Sequence, residues 1–320
     1  MRLKSALRRG VAAAVIAGIV VSSGIPAYAK TWNIADGDIT VKGASDESGN
    51  YNNVKQGDKD FEKDTDTVIT SKSDKSEESK EHTVTIDTSG GNVDVTFDDL
   101  KINVSGKGEA AVTVKGGGDA TIELDGDNEL KSGGKNAGLE KNDERSEDGK
   151  TISGKLTIKD DKGKDGSLTA AGGAGGGAGI GGKHESGAGN IEITGGTIKA
   201  EGGEGAAGIG GGVYGIGHDI EISGGKVSAT GGDANENLHS SRPGAAGIGD
   251  GAGTEGVGGL SGLTTLSPDS LTTVQQPEQA ADPGPEDSIR IPLLEDEEKI
   301  TIQPFTEKTP AEEQTDTAGP

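Results

Sequence analysis

Acidic residues collect where short segments of alternating apolar and polar residues end. These residues are Asp98, Asp99, Asp125, Asp127, Glu129, Asp160 and Asp161. Calcium takes six to eight oxygen ligands from carboxylates and carbonyls, so this arrangement predicts bound Ca²⁺. The alternative at any single position is that an aspartate only closes a turn. If equivalent turns stack about 5 Å apart, neighbouring carboxylates repel each other unless a cation lies between them, which favours calcium for the set.

Aromatic side chains are the second group with useful chemistry, because sugar rings pack on aromatic faces. After residue 30 they are scattered rather than laddered: Trp32, Tyr51, Phe61, Phe97, Tyr214 and Phe305. Tyr214, in the segment VYGIGH, is predicted to be an exposed platform for carbohydrate. Phe97 lies in an alternating segment and is predicted to be in the core, and Trp32 to pack in an N-terminal cap.

The residue pattern argues against catalysis. Polysaccharide lyases need a basic residue facing a calcium cluster, and hydrolases need two carboxylates at a defined separation. Arg145 and Arg242 lie in polar loops rather than in strands beside acidic residues. In an extended chain the neighbours Asp98 and Asp99 point to opposite faces. The chain has no cysteine, which excludes thiolate chemistry. It is therefore predicted not to be an enzyme.

The histidines and glycine-rich motifs also fail to indicate a familiar site. The four histidines, His82, His184, His218 and His239, show no metal-ligand spacing and are interpreted as surface residues. The segment GAGIGGKH at 177–184 is close to a phosphate-binding loop, but it has histidine where serine or threonine is required.

An internal repeat organises the segments that carry these residues. NIEITGGTIKAEGGEGAAGIGG is followed by DIEISGGKVSATGG, which resumes after an insertion as GAAGIGD. Matching positions lie 29 residues apart at Ile193 and Ile222, Ile198 and Val227, and Ile180 and Ile209. A third copy reaches Ile248, and a fainter earlier copy places Leu139 at the same position. Each unit contains three short apolar segments, IEI, TIKA and AGIG.

These features predict an all-β protein with a right-handed parallel β-helix (solenoid) of three short strands per repeat unit. Isoleucine and valine would stack inside. The glycine pairs at 195–196 and 224–225 would form sharp turns at positive φ. Ala207 and Ala246 would fill tight interior corners. Five or six units fit between residues 82 and 252.

The chain divides by composition into four segments. Residues 1–29 have a basic start, an apolar stretch of about 11 residues and a small-x-small motif, which predicts a signal peptide cleaved after Ala29. Residues 30–81 form a polar N-terminal segment or cap, 82–252 the β-helix, and 253–320 a Pro/Ser/Thr-rich, acidic and mostly disordered tail. The protein is therefore predicted to be secreted, extracellular or at the cell surface, and not inserted stably in a membrane.

Within the polar N-terminal segment, strands are predicted at Asp38–Lys42 and Thr67–Thr70, and most of the remainder is interpreted as exposed loop. In the tail one further strand is predicted at Lys299–Gln303. The formal net charge is −23. Because nucleic acid binding depends on Lys and Arg contacts to phosphate, this charge argues against a nucleic acid partner.

The order of segments between 82 and 252 resembles a known family. NVDVTFDDLKI, AAVTVKGGGDATIELDGDNEL, NAGLEKND and GKLTIKDDKGKDGSLTA are similar to the secreted carbohydrate-binding β-helix family of clostridia and related Firmicutes. GGTIKAEGGEGAAGIGGG resembles the glycine-rich variant of that family. The resemblance implies a calcium-binding right-handed β-helix that binds polysaccharide, pectin-like or cellulose-like, without cleaving it.

Three functions follow from these observations. The first is a secreted polysaccharide-binding protein assisted by calcium. The second is a structural or adhesive surface stalk, with the acidic tail as a spacer. The third, a polysaccharide lyase, has the weakest support from the residues. Glycan binding with and without calcium separates the first two.

Overall fold

A computed structural model describes residues 29–47, 49–71, 78–144, 152–163, 165–233, 245–253, 265–266 and 271–274. These residues form 23 strands and a single-turn 3₁₀-helix (Ile34–Asp36), so the all-β prediction is confirmed. No helix among the described residues is long and apolar enough to cross a membrane. The predicted signal peptide lies outside them up to residue 28, and Ala29 is the first residue of the first strand.

The strands in the first half of the chain are β1 (Ala29–Asn33), β2 (Ile39–Asp46), β3 (Gly49–Gln56), β4 (Glu62–Asp64), β5 (Asp66–Thr70), β6 (Val84–Asp87), β7 (Val93–Asp98), β8 (Lys101–Asn103), β9 (Val112–Lys115), β10 (Ala120–Asp125), β11 (Asp127–Lys131) and β12 (Leu139–Lys141).

The remaining strands are β13 (Leu156–Lys159), β14 (Ser167–Ala171), β15 (Ile180–Gly181), β16 (Ile191–Ile193), β17 (Thr197–Glu201), β18 (Ile209–Gly210), β19 (Ile220–Ile222), β20 (Lys226–Thr230), β21 (Ile248–Gly249), β22 (Thr265–Leu266) and β23 (Leu271–Val274).

The strands form three sheets. Sheet A has the order β1-β5-β7-β10-β13-β16-β19-β22, sheet B the order β21-β18-β15-β12-β9-β6-β2-β3-β4, and sheet C the order β23-β20-β17-β14-β11-β8. Neighbours are parallel except in the hairpin β2-β3-β4, which is antiparallel. From β7 onward the chain passes through sheets A, C and B in turn. We call one such passage a circuit; five complete circuits run from β7 to β21.

The 29-residue repeat predicts the strand register correctly. Ile193 pairs with Ile222 in sheet A, and Ile198 with Val227 in sheet C. In sheet B the paired positions run through Leu139, Ile180, Ile209 and Ile248. All of these side chains are buried in one continuous core, because matching positions of successive circuits point to the same side of their sheet.

The second glycine of each predicted turn pair has the expected positive φ, whereas Gly195 and Gly224 do not. Gly196 and Gly225 have φ of 86° and 79°, a region that favours glycine. A Cβ at Gly225 would lie 2.5 Å from the carbonyl oxygen of Gly196, so successive circuits leave no room for one. Ala207 and Ala246 are fully buried, as predicted for interior corners.

The interpretation of residues 31–81 as mostly exposed loop is wrong. Strands β1 to β5 lie there; β5 pairs with β7 in sheet A and β2 pairs with β6 in sheet B. The two strands predicted in this segment are among them. The segment looks solvated because its buried groups include polar ones that bond to each other. Trp32 is buried, and its indole N–H donates to the buried Asp64 carboxylate at 2.7 Å.

The tail is partly corrected as well. Thr265–Leu266 (β22) pairs with β19 and Leu271–Val274 (β23) pairs with β20, within the segment predicted to be a mostly disordered tail. The strand predicted at Lys299–Gln303 lies outside the described residues. The prediction that Phe97 belongs to the core is confirmed, since its side chain is fully buried.

Candidate functional site

Six of the seven predicted calcium ligands lie where successive circuits turn from sheet A to sheet C. We call this set the acidic corner: Asp98, Asp99, Asp125, Asp127, Asp160 and Asp161. Asp98 pairs directly with Asp125 in the strand register. The seventh residue, Glu129, lies on β11 and forms an ion pair with Lys131 on the outer face of sheet C. The structure therefore brings the aspartates to one corner and leaves Glu129 apart.

Hydrogen bonds to the turns engage several of these carboxylates. Asp99, at φ 50°, accepts the Asp127 N–H at 2.8 Å, and Asp127 accepts the Ser167 hydroxyl at 3.0 Å. Asp160 accepts the Gly166 N–H at 3.1 Å. Asp161 forms an ion pair with Lys159 at 2.9 Å. This is the chemistry expected of aspartates that close turns.

The donor set of the acidic corner does not fit a formed cation site. Among the described residues no three His, Cys, Asp or Glu side chains converge well enough to hold a metal ion. The carboxylate oxygens that calcium needs are partly engaged with backbone N–H groups and lysine. Bound calcium stays a prediction.

Tyr214 lies on the loop between β18 and β19, residues 211–219, which we call the Tyr214 loop. Contacts with neighbouring loops fix its position. The Tyr214 N–H donates to the Ala252 carbonyl at 2.9 Å, and its ring meets the His184 ring edge-on with centroids 5.8 Å apart. A Cβ at Gly253 would lie 2.3 Å from Tyr214 Cε1, so the ring packs directly over that glycine. Tyr214 is nevertheless 42% exposed, as predicted for a platform.

The backbone at Tyr214 is unusual. Its φ is 63°, in the left-handed region that tyrosine rarely adopts. The strain costs about 1 to 2 kcal/mol. Ile216, two residues further on the same loop, is 47% exposed. The loop therefore presents two large apolar side chains to solvent from a fixed backbone.

Among the described residues, the other exposed aromatic side chain lies at the opposite end of sheet B. Phe61 precedes β4 and is 43% exposed, with the Lys42 ammonium 5.0 Å from its ring centroid. Nearby, the Lys63 ammonium lies 4.0 Å from the Tyr51 ring. Because Tyr214 follows β18 and Phe61 lies beside β4, the two rings belong to separate surfaces.

A charged cluster that the sequence pattern did not indicate joins the end of the Tyr214 loop to an earlier circuit. We call it the His218 clamp: the His218 ring, with Nε2 2.7 Å from Asp143 Oδ2 and Nδ1 2.8 Å from Asp219 Oδ2. Its side chain is only 20% exposed, so the interpretation of His218 as a surface residue is wrong. His184, at 13%, is corrected in the same way.

The clamp holds its histidine as a cation. The hydrogen bond to Asp143 is the main cause that raises the pKa of His218 to about 9, and Asp219 adds to it against the cost of burial. Burial lowers the pKa of His184, and the nearby Lys135 adds to this effect against the attraction of Glu185. Asp143 and His218 are 75 residues apart, so no local motif could have revealed the pair.

A buried lysine lies beside the clamp. Lys141 donates to the Gly189 carbonyl at 2.6 Å, and desolvation lowers its pKa. Glu140, also buried, accepts from the Asn142 side chain at 2.8 Å, and desolvation raises its pKa. The two arginines considered for catalysis, Arg145 and Arg242, lie outside the described residues.

Comparisons of the chain with protein-family models, with curated proteins and with solved structures give no match.

Proposed function

We propose that the chain is a secreted or cell-surface protein that binds polysaccharide without cleaving it. The observation that carries the proposal is Tyr214, an exposed ring held in place by a strained backbone, a backbone hydrogen bond and packing against Gly253 and His184. Strained, ordered residues concentrate at functional sites because the surrounding structure must offset their cost. A tyrosine supplies a flat apolar face and a hydroxyl, the two features that sugar rings use.

We propose further that the scaffold is a right-handed parallel β-helix (solenoid). Parallel pairing, the constant sheet order A, C, B and the 29-residue register support this arrangement. Crossovers between parallel strands of one sheet are right-handed in about 98% of cases, which gives the hand.

The ligand class follows from the surroundings of Tyr214. Ile216 extends the apolar surface, while Glu185 and Lys183 on the preceding circuit are exposed and can bond sugar hydroxyls. The ring of Tyr214 is exposed, which suits a segment of a long glycan, pectin-like or cellulose-like as the family resemblance implies.

Replacing Tyr214 with glycine tests the proposal. Tyr214→Gly removes the ring and also the backbone strain, so polysaccharide affinity is expected to fall by about tenfold while the melting temperature does not drop. Phe61→Ala is the matched control, because it removes an equally exposed ring from the other end of sheet B. Affinity electrophoresis on a panel of plant and bacterial polysaccharides provides the measurement. If both variants retain full affinity, or the native chain binds no glycan in the panel, the proposal fails.

Calcium binding at the acidic corner is a separate prediction with its own test. Titrating calcium into chelator-treated protein should then raise the melting temperature, and the rise should disappear in Asp99→Asn with Asp127→Asn. Isothermal calorimetry without a calcium heat, together with an unchanged melting temperature, would remove calcium from the proposal and leave the Tyr214 argument intact.

A structural stalk is the second candidate. Its support is the outer face of sheet C, where charges pair within single strands: Lys199 with Glu201 at 2.6 Å and Lys131 with Glu129. Because these charged side chains pair with each other, few charged groups on this face are left to bind a ligand. A glycan array that is blank with and without calcium would favour the stalk. Release of unsaturated uronate, followed by absorbance, would instead indicate a lyase.

A further inference from the structure

His218 lies between two carboxylates, and the geometry accounts for its charge. Each ring nitrogen is within 2.8 Å of a carboxylate oxygen. Carboxylates accept hydrogen bonds, and only the imidazolium has an N–H on both nitrogens. The doubly bonded arrangement therefore needs the protonated ring. If the proton is lost, one nitrogen lone pair faces a carboxylate oxygen and that contact becomes repulsive.

The clamp crosses an intervening loop. Asp143 belongs to the loop after β12 and His218 to the loop after β18, and residues 187–189 run between them. A Cβ at Gly187 would lie 2.9 Å from Asp143 Oδ2, and one at Gly189 would lie 2.2 Å from His218 Cε1. Residues 187–189 therefore have glycine at the two positions where Asp143 and the His218 ring come closest to this loop.

The Tyr214 loop also forms backbone hydrogen bonds with residues 187–189. The Ala188 N–H donates to the Ile216 carbonyl at 2.9 Å, and the His218 N–H donates to the Ala188 carbonyl at 3.1 Å. These bonds tie the Tyr214 loop to residues 187–189, and the clamp ties both to Asp143. Three successive loops are therefore joined at one point.

The later circuit provides the second attachment of the Tyr214 loop. The Gly217 N–H donates to the buried Asp250 carboxylate at 2.8 Å, and the Tyr214 N–H donates to Ala252. The segment that presents Tyr214 and Ile216 is held from the earlier circuit by the His218 side chain together with backbone hydrogen bonds, and from the later circuit by Asp250. Loss of the His218 proton removes the side-chain part of the first attachment and leaves the backbone hydrogen bonds.

Other charged groups near the clamp are Lys141, on which Asp143, Glu144 and Asp119 act, and Asp250, which accepts from Gly217. Lys141 works in the opposite direction to His218 at high pH. Because burial lowers the pKa of Lys141, its charged form is disfavoured in the fold, and stability from this residue increases as pH rises. A loss of order on the alkaline side is therefore assignable to His218 and not to Lys141.

We propose that the Asp143–His218–Asp219 clamp is a positioning device that holds the Tyr214 loop tightly against the three-sheet body while His218 carries its proton and loosens this hold when that proton is lost. The pKa of about 9 puts the loosening on the alkaline side of neutrality. Its consequence for glycan affinity rests on the proposed function. The positioning itself does not.

Amide hydrogen exchange of the full chain, followed by mass spectrometry of peptides covering 211–219, tests the clamp without any ligand. After correction for the intrinsic pH dependence of exchange, protection of this loop should be greatest below about pH 6.5 and fall progressively, by about tenfold, as pH rises through about 9. In His218→Gln the loop should exchange fast at every pH. In Asp143→Asn the midpoint should move from about 9 toward the ordinary value for histidine.

His82→Gln is the control, because His82 lies 3.6 Å from Asp38 on an earlier part of the chain and should leave the alkaline step unchanged. Uniform protection of the native loop across the range, or a step that persists in His218→Gln, would overturn the clamp. If His218→Gln does not fold, the midpoint shift in Asp143→Asn decides. A normal step in a chain that binds no glycan at any pH leaves the clamp standing and rejects the proposed function.

Discussion

The N-terminal region, residues 29–71, and the glycine-rich region, residues 165–253, solve the same packing problem differently. Both contribute strands to sheets A and B and bury an apolar interior. In the N-terminal region, buried polar groups are satisfied by side chains from distant positions. In the glycine-rich region, backbone groups of adjacent circuits bond and touch each other directly.

The N-terminal solution depends on particular side chains. Asp64 accepts the Trp32 indole N–H at 2.7 Å, and the Asn52 amide donates to Thr67 at 2.9 Å. Gln56 donates to the Asn33 carbonyl at 2.5 Å. Buried polar groups are costly unless paired, so each of these contacts needs both of its members.

The glycine-rich solution depends on the absence of side chains. Gly210 has φ 131°, and a Cβ there would lie 2.1 Å from the Gly249 carbonyl oxygen. Gly181 has the same relation to Gly210. Backbone atoms of successive circuits fill the space that side chains occupy elsewhere. The comparison indicates that a substitution should be most damaging where backbone meets backbone.

The largest expected effect is therefore Gly210→Ala. The new methyl group would overlap the backbone of the next circuit at a φ that alanine avoids, so the free energy of unfolding should fall by about 4 kcal/mol. Urea denaturation followed by far-UV circular dichroism gives the value. Gly106→Ala is the control, since no atom lies within 4 Å of its would-be Cβ. Equal losses in the two variants would refute the backbone-contact argument.

Asp64→Ala tests the N-terminal solution. It removes the acceptor for the Trp32 indole and for the N–H groups of Lys30 and Asp66. Since at least one buried donor loses its partner, the free energy of unfolding should fall by about 3 kcal/mol. The same denaturation experiment applies, with Trp32 fluorescence as a local probe.

Asp46→Ala is the comparison for that variant. Asp46 forms an exposed ion pair with Lys63 on the same hairpin, and such pairs contribute less than about 1 kcal/mol. A loss as large as that of Asp64→Ala would mean that surface charge, and not buried pairing, stabilises this region.

The His218 clamp predicts a pH dependence of stability in the glycine-rich region. The folded pKa of about 9 exceeds the ordinary value of 6.5, so the stabilisation is fully present below about pH 6.5 and is lost as pH rises through about 9. The size should be about 2 kcal/mol, after allowance for partial solvent exposure. Thermal melts between pH 6 and 10 should show this loss in the native chain and not in His218→Gln. A loss of the same size in both would assign it to another group.

The smallest expected effect is Ile209→Val, which shortens one member of the stack formed with Ile180 and Ile248. Removing one buried methylene should lower the free energy of unfolding by about 1 kcal/mol. Ile216→Val is the same change at a residue that is 47% exposed, and it should have no measurable effect. Chemical denaturation of the two variants shows whether the loss comes from buried packing or from the isoleucine-to-valine change itself.

The strand register was predictable from the sequence because a repeat of constant length brings like residues together. Ile193 pairs with Ile222, and Ile209 with Ile248, as the spacing predicts, even where an insertion separates the copies. The glycine turns and the buried Ala207 followed from the same periodicity. The exposed position of Tyr214 followed from its place in a glycine-rich loop.

Strands β1 to β5 and the His218 clamp were not predictable in this way. The N-terminal strands bury polar residues whose partners, such as Asp64 for Trp32, lie tens of residues away. The clamp joins residues 75 positions apart, which meet only because two circuits stack beside a third. Periodicity in the chain determines which residues share a face. Charge pairing across circuits depends on distances that exist only once the chain has folded. Folding brings Asp143 to His218, and for this reason His218 is the histidine with a raised pKa among the described residues.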